Sequence, residues 1–219
     1  MIFYIVVEGK RTEKHVFKRW IPALCPDLRY VDHPKSLVQN SFTIVSGNGY
    51  PGYLRIIRDA AIDVRDNPGY GTLLVSVDAD DKDADARRQE VLDVIRDAAP
   101  GIQPIVIIQN QCIETWALGN RRMVKNFPRD REHQEWKQHY DVWALDPEEL
   151  PPNLAKGLNR AQSALVYLLA AIRDRNPSLS YSKAKPNVLA DPAYLEQLRV
   201  RSNDTGHIPS FKEFCDVFS

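Results

Sequence analysis

The chain has 219 residues, of which 43% are hydrophobic, enough for one large domain or for a domain with a substantial extension. Its 29 Lys and Arg residues balance its 29 Asp and Glu residues, so the overall basic charge of many nucleic-acid-binding domains is absent, although a local patch is not excluded. Cys25, Cys112 and Cys215 lie far apart without a CxxC pair, so neither a disulfide framework nor a structural zinc site is indicated.

Apolar stretches are short throughout the chain. None approaches the roughly 18 residues that a membrane span requires. The first apolar run, residues 2–7, is too short for a secretory signal and ends at Glu8. We therefore expect a soluble protein in a reducing, cytoplasmic compartment, with no membrane partner.

The first half of the chain alternates apolar runs with amphipathic segments. The runs predict buried strands, because they are apolar without alternation and rich in β-branched residues; they cover residues 2–7, 42–45, 72–77 and 104–109. Helical spacing predicts a helix capped by Thr12 and bent or ended by Pro22, and further helices over 53–64 and 83–98. Residues 26–41 are expected to be irregular. Strands that alternate with helices indicate an α/β fold with a parallel sheet.

From residue 113 the pattern changes to one of helices. They are predicted over residues 113–118, 158–172, 189–199 and 211–218. We interpret residues 1–119 as the α/β core and 120–219 as a mostly helical extension packed on it. Three aromatic residues of the second part suit either the stacking of bases or helical core packing, namely Trp136, Tyr140 and Trp143.

Carboxylates follow two of the predicted strands. Glu8 comes directly after the first strand, and Asp78 and Asp80 come at the end of the third. Acidic groups at the ends of parallel strands lie at the carboxyl edge of the sheet, where open α/β folds bind ligands. Carboxylates held there repel one another unless a hard cation lies between them, and oxygen ligands of this kind suit Mg²⁺ or Mn²⁺.

Four short motifs extend this acidic pattern along the chain. They are Val7-Glu8-Gly9 with Thr12-Glu13, Asp78-Ala79-Asp80, Glu114-Thr115-Trp116, and Tyr181-Ser182-Lys183. Their order resembles the TOPRIM fold as it occurs in nucleases of the OLD (overcoming lysogenization defect) type, and above all in their small RloB-like relatives. The resemblance covers the core closely and the extension only at short stretches.

This resemblance implies a TOPRIM, Rossmann-like core of about four parallel strands flanked by helices. It also implies a divalent-metal-dependent nuclease that hydrolyses phosphodiester bonds in DNA or RNA, in defence against phage or mobile elements. A separate ABC-type ATPase is implied as a partner, and a homo-oligomer is left open.

By the family pattern, two Mg²⁺ or Mn²⁺ ions would be held by five carboxylates, those of Glu8, Glu13, Asp78, Asp80 and Glu114. Two such ions roughly 4 Å apart activate a water and clamp the transferring phosphoryl group. Lys183 would stabilise the transition-state charge, with Lys185 as a weaker substitute. Lys10 and Arg11 would contact a substrate phosphate, and Gly9 would allow a sharp turn beside the metal.

The chain departs from the family pattern in two places. Gly119 stands where relatives often carry an acidic ending, so the segment after Glu114 differs from theirs. Asp80 is followed by a run of charges, Asp81-Lys82-Asp83, that offers substitute ligands. A solvated helix N-terminus, favoured by the helix macrodipole, explains the same run more simply.

Structural interpretations also exist for single residues. Glu8 suits the surface at a strand end, and Glu114 suits the first turn of a helix whose Trp116 and Leu118 are core. Lys183 suits a flexible surface position. Cys112 adjoins the expected site, and the role of a small buried hydrophobe is favoured for it.

Other functions remain open at this point. In a haloacid-dehalogenase-type phosphatase, Asp78 would be the nucleophile and Asp80 the acid/base, but Lys82 stands where that class has Thr or Val. That class also has its acidic pair after the first strand, whereas two strands precede it here. A non-catalytic module that binds a nucleotide or a partner, and a receiver domain, are further alternatives.

Overall fold

The computed structural model describes residues 1–80 and 82–219 of the chain. It contains a five-stranded parallel sheet with the strand order β2-β3-β1-β4-β5. The strands are β1 (Ile2–Val7), β2 (Arg29–Tyr30), β3 (Ser41–Ser46), β4 (Thr72–Asp78) and β5 (Ile105–Gln109). The predicted α/β class is confirmed.

β1 lies in the middle of this sheet. Its residues from Phe3 to Val7 are all buried, which explains the continuous apolar run, because a central parallel strand is covered on both faces. Val7 is opposite Ser46 of β3 and Ser76 of β4. The register therefore fixes where β1 ends relative to both of its neighbours.

The presence of β2 shows that two expectations are wrong. Residues 26–41 are not irregular throughout, and the sheet has five strands instead of about four. Arg29 and Tyr30 pair with Ser41 and Phe42 of β3. Two residues are too short a run to show any periodicity, so nothing in the sequence distinguishes this strand from a loop.

Three helices accompany the strands: α1 (Thr12–Leu24), α2 (Gly52–Asp66) and α3 (Ala84–Ala98). The expected cap of α1 is wrong, because Thr12 is its first helical residue, and Arg11 at the cap position makes no side-chain capping bond. Pro22 does not end α1, since a proline near the C-terminus removes only one intrahelical hydrogen bond.

The remaining helices are α4 (Ile113–Ala117), α5 (Arg131–His139), α6 (Arg160–Arg175), α7 (Asn187–Ala190), α8 (Pro192–Thr205) and α9 (Pro209–Val217). The single helix expected over 189–199 is therefore two. Asp191 separates them and accepts a hydrogen bond from Ala193 N at 2.9 Å, while Pro192 occupies the first position of α8. Proline favours that position because its missing N–H has no partner there anyway.

By compactness the described chain forms two units. The first contains residues 1–77, 82–108 and 218–219, and the second contains 78–80 and 109–217. Residues 109–119, expected to belong to the core, thus group with the helices that follow them. The division into a catalytic core and an extension at residue 119 stays a prediction.

The second unit has an aromatic core of its own. Trp136 of α5 is almost fully buried and stacks on Tyr167 of α6, with ring centroids 5.4 Å apart and an interplanar angle of 18°. Of the two roles open to Trp136, core packing is the one the structure assigns. Trp143 is only partly buried, and the Arg121 guanidinium lies 5.0 Å from its ring centroid.

Among the described helices, none has the length and apolar character needed to cross a membrane.

Candidate functional site

Glu8 follows the last residue of β1 and is partly buried. Its N–H donates to Ser76 O at 3.3 Å, and its carbonyl accepts from Gly49 N at 3.0 Å. The backbone of Glu8 is therefore fixed between β4 and the turn after β3. This is the placement at a strand end that the sequence predicts.

Glu13 lies in the first turn of α1, where its side chain is buried. A Cβ atom added to Gly9 would lie 3.1 Å from Glu13 Cδ, so the missing side chain of Gly9 makes room for this carboxylate. Lys10 and Arg11, the expected phosphate contacts, are exposed, and Lys10 O accepts from Ser46 Oγ at 3.3 Å.

Asp78 is the last residue of β4 and is 7% exposed. Asp80 is partly buried and has a φ of 52°, a left-handed conformation that Asp tolerates better than most residues. Ala79 N–H donates to Gln109 O at 2.9 Å, and Asp80 N–H donates to Gln111 O at 3.2 Å. These bonds hold the acidic motif to the chain that leaves β5.

The charge run after Asp80 is partly explained by local structure. Asp83 caps α3, because its Oδ1 accepts from Asp85 N at 3.1 Å and from Ala86 N at 3.0 Å. Lys82 forms an ion pair with Glu90 at 3.2 Å. Asp81 lies outside the described residues. Asp83 thus lies at the helix N-terminus, as the simpler explanation of the run expects.

Glu114 is fully buried in the first turn of α4. Its Oε1 accepts a hydrogen bond of 2.6 Å from Tyr181 OH, a length usual for a hydroxyl that donates to a carboxylate. Its Oε2 has no hydrogen-bond partner within residues 1–80 and 82–219. Trp116 and Leu118 are also fully buried, as the structural interpretation of this segment expects.

The pKa of the Cys112 thiol depends on its burial and on the charged groups around it. The thiol is 1% exposed, and burial raises its pKa well above the usual value, with further increases from the charges of Glu114 and Asp78. Both carboxylates therefore lie close enough to Cys112 to affect its pKa. The burial of Cys112 is the one expected of a small buried hydrophobe.

Lys183 and Lys185 are exposed. They belong to a tight turn in which Lys185 N–H donates to Ser182 O at 2.9 Å and to Ser182 Oγ at 3.1 Å. Tyr181, which is buried, anchors the start of this turn through its bond to Glu114. Tyr181 therefore links the lysine-bearing turn to a buried acid.

The metal prediction has chemical but not geometric support. Asp78, Asp80 and Glu114 offer the hard oxygen donors that Mg²⁺ and Mn²⁺ prefer. The unpartnered Glu114 Oε2 is a donor atom of this kind. As the side chains stand, no group of three or more His, Cys, Asp and Glu residues in the described part of the chain is arranged to hold a metal ion.

A partly buried polar network that the sequence does not predict lies in the second unit. Ser210 Oγ donates to Glu148 Oε1 at 2.6 Å and accepts from Trp116 Nε1 at 2.7 Å and from Asn110 N at 3.2 Å. The network ties the chain after β5 and α4 to the start of α9. Its members are too far apart in sequence for any spacing to reveal it.

The fold and the strand-end acids thus define a parallel α/β protein with carboxylates at the carboxyl edge of its sheet. Comparisons with protein-family models, with curated proteins and with solved structures find no match.

Proposed function

We propose that this protein is a divalent-metal-dependent nuclease that hydrolyses phosphodiester bonds in DNA or RNA. One observation carries the proposal. From β1 the chain passes to β2 and β3 on one side and then returns to β4 on the other, so the direction of the strand order reverses between β1 and β4. Glu8 follows the first of these strands, and Asp78 ends the second. Open α/β sheets bind their ligands outside the carboxyl ends of the strands at such a reversal.

The roles of the side chains follow from their chemistry. Asp78, Asp80 and Glu114 would hold the cations, and Glu8 and Glu13 are the further ligands that the TOPRIM resemblance implies. Bound divalent ions would supply an activated water and neutralise charge on the transferring phosphoryl group.

The exposed cations would act on the substrate. Lys183, on the turn anchored by Tyr181, would stabilise the additional negative charge of the transition state. Lys10, Arg11 and Lys185 are exposed and would contact backbone phosphates before the reaction.

The resemblance adds a biological setting to the same proposal. The nuclease would act in defence against phage or mobile elements, with a separate ABC-type ATPase as partner. Co-purification of an ATPase with the tagged protein from its native cells would test that part. The absence of any ATPase from the purified complex would count against it.

A cleavage assay tests the chemistry. The protein is incubated with Mg²⁺, Mn²⁺ or EDTA and a panel of supercoiled DNA, linear DNA and total RNA. We expect cleavage with a metal only, and a loss of roughly 100-fold or more for Asp78→Asn and Glu8→Gln, because both remove a ligand charge. The matched control is Asp97→Asn, an exposed acid on α3, which should leave cleavage unchanged.

Two results would contradict the proposal. Cleavage that persists in EDTA or in Asp78→Asn protein would point to a contaminating or different activity. Hydrolysis of a small phosphomonoester with a covalent adduct on Asp78 would support the phosphatase alternative instead.

A further inference from the structure

A loop of the second unit holds an aromatic ring out into solvent. This Phe127 loop comprises residues 125–130, which precede α5. The Phe127 side chain is 85% exposed, the highest value among the large hydrophobic residues described. A free loop would gain about 25 cal/mol per Å² by turning such a ring onto the protein surface.

The loop is not free, because a buried carboxylate anchors it at both ends. The Asp174 side chain is only 3% exposed, and its Oδ1 accepts from Lys125 Nζ at 3.1 Å, from Arg129 N at 3.2 Å and from Asp130 N at 3.0 Å. Charge-assisted bonds of this kind are among the stronger ones in proteins.

Helix α5 fixes the residues on either side of the ring. Gln134 Nε2 donates to Pro128 O at 3.0 Å, and Lys137 Nζ donates to Asn126 Oδ1 at 3.1 Å. The neighbours of Phe127 on both sides are therefore held, and the outward direction of the ring is built into the loop.

Beside the ring lies a cavity of about 390 Å³, which is large enough for a nucleobase. Phe127 and Pro128 supply an apolar wall, and Gln134 and Gln138 supply amide groups. Gln138 is exposed, and its amide makes no hydrogen bond within the described part of the chain.

The charges around the loop indicate what would occupy the cavity. Arg129 and Arg175 are exposed, and neither guanidinium forms an ion pair with any residue in 1–80 or 82–219. The backbone N–H of Arg129 donates to Asp174 Oδ1 at 3.2 Å, and Arg175 directly follows Asp174 in the chain. By contrast, the charge of Lys137 is matched by Asp141 at 2.7 Å. Unmatched guanidiniums on the Phe127 loop and directly after its anchor Asp174 in the chain suit a ligand that combines phosphates with a flat face.

We propose that the Phe127 loop is a stacking subsite for an unpaired base of single-stranded nucleic acid. The base would stack on Phe127 with its edge toward the Gln134 and Gln138 amides, while Arg129 and Arg175 would contact the flanking phosphates. Aromatic rings combined with cationic side chains bind single strands in this way with little sequence preference. The subsite needs no metal and does not depend on cleavage.

Fluorescence anisotropy with short labelled oligo(dT) and oligo(dA), measured in EDTA, tests the subsite. We expect Phe127→Ala to weaken binding by roughly 5- to 100-fold, because one stacked base contributes about 1–3 kcal/mol. Phe127→Trp should bind as tightly as the unaltered protein, since it keeps a stacking face. The matched control is Leu154→Ala, which removes another exposed apolar side chain, 80% exposed, and should change nothing.

Equal affinity of Phe127→Ala and the unaltered protein would overturn the proposal, as would tight binding by Phe127→Leu, which is apolar but cannot stack. A change in sedimentation coefficient of Phe127→Ala, without any change in oligonucleotide binding, would assign the ring to a protein interface instead. Phe127-dependent binding without metal-dependent cleavage would leave the subsite standing and remove the nuclease. Cleavage without Phe127-dependent binding would do the reverse.

Discussion

Glu148 is a carboxylate that folding removes almost entirely from water. It is 2% exposed, and its pKa is raised to about 7, mainly by burial and to a smaller extent by the charge of Asp146. Hydrogen bonds from Ser210 oppose this increase, because they favour the ionised form. The net result is an acid whose affinity for a proton is higher in the folded chain than in the unfolded one.

The stability of the protein should therefore depend on Glu148 between about pH 4.5 and about pH 7. In this range the folded state keeps the proton and the unfolded state has lost it, so the free energy of unfolding falls as the pH rises. The decline should total roughly 1–3 kcal/mol. Glu148→Gln should abolish this contribution.

Urea unfolding of both proteins at a series of pH values across this window measures the effect. Glu149→Gln, at the exposed neighbouring position, is the matched control and should retain the full decline. An unchanged decline in Glu148→Gln would assign the pH dependence to another group.

Tyr181 carries a second prediction for a single residue. Tyr181→Phe removes the hydroxyl that donates to Glu114 Oε1 at 2.6 Å, in a fully buried location. The loss of a buried hydrogen bond to a carboxylate should lower the free energy of unfolding by about 1–3 kcal/mol. Thermal unfolding measures this, with Tyr70→Phe as the control, since the Tyr70 side chain is partly exposed. Equal stability of the two variants would mean that Glu114 finds another donor.

Among the elements, the turn before β4 depends on a glycine. Gly71 has a φ of 75°, and an added Cβ would lie 2.6 Å from Ile2 Cβ and 2.8 Å from Ile2 C. Strain and overlap both oppose any side chain there, because the backbone of Ile2 belongs to β1 and cannot move aside.

Gly71→Ala should therefore lower the free energy of unfolding by about 2 kcal/mol or more. Gly69→Ala is the matched control, because it makes the same substitution in the same turn but an added Cβ there meets nothing within 4 Å. It should be neutral or slightly stabilising, because alanine restricts the unfolded chain. Chemical denaturation of the two variants measures both free energies of unfolding. Similar losses in the two variants would show that the close approach of Ile2 does not prevent a side chain at position 71.

Pattern reasoning predicts those elements that are long enough to show a period. β1 and β4 are found as expected because strands covered on both faces are continuous apolar runs. β2 is missed because two residues have no period. The helix α5, in a segment for which no element is predicted, is short and polar, and Asp130 caps it through a bond from His133 N at 3.1 Å.

For the whole molecule, sequence reasoning predicts the placement of acids at strand ends but not the bonds between distant residues. Glu8 follows β1 and Asp78 ends the neighbouring β4, because an apolar run must stop where the buried part of a strand stops. The Tyr181–Glu114 bond joins residues 67 apart, and the Glu148–Ser210 bond joins residues 62 apart. Such pairings depend on tertiary packing, about which a single sequence has no direct signal.

Because the net charge of the whole molecule is zero, we expect its binding of single strands to depend only weakly on salt concentration. If single strands contact only Arg129 and Arg175, the logarithm of the association constant should fall against log salt with a slope of about −1.4, or roughly −0.7 per phosphate contact. Arg129→Gln should halve this slope. Anisotropy titrations at increasing NaCl in EDTA measure it, and a slope steeper than about −4 would require a much larger basic surface.

The reaction rates of the two buried thiols in the second unit can be used to measure local opening of the structure. Cys112 is 1% exposed, and Cys215 is 8% exposed with its pKa raised to about 12 by burial. An alkylating reagent attacks thiolates, so it should modify the more accessible Cys25 first and reach the other two only during transient openings. Mass spectrometry of a timed alkylation would thus yield an opening rate beside Glu114 and another in α9, without any engineered probe.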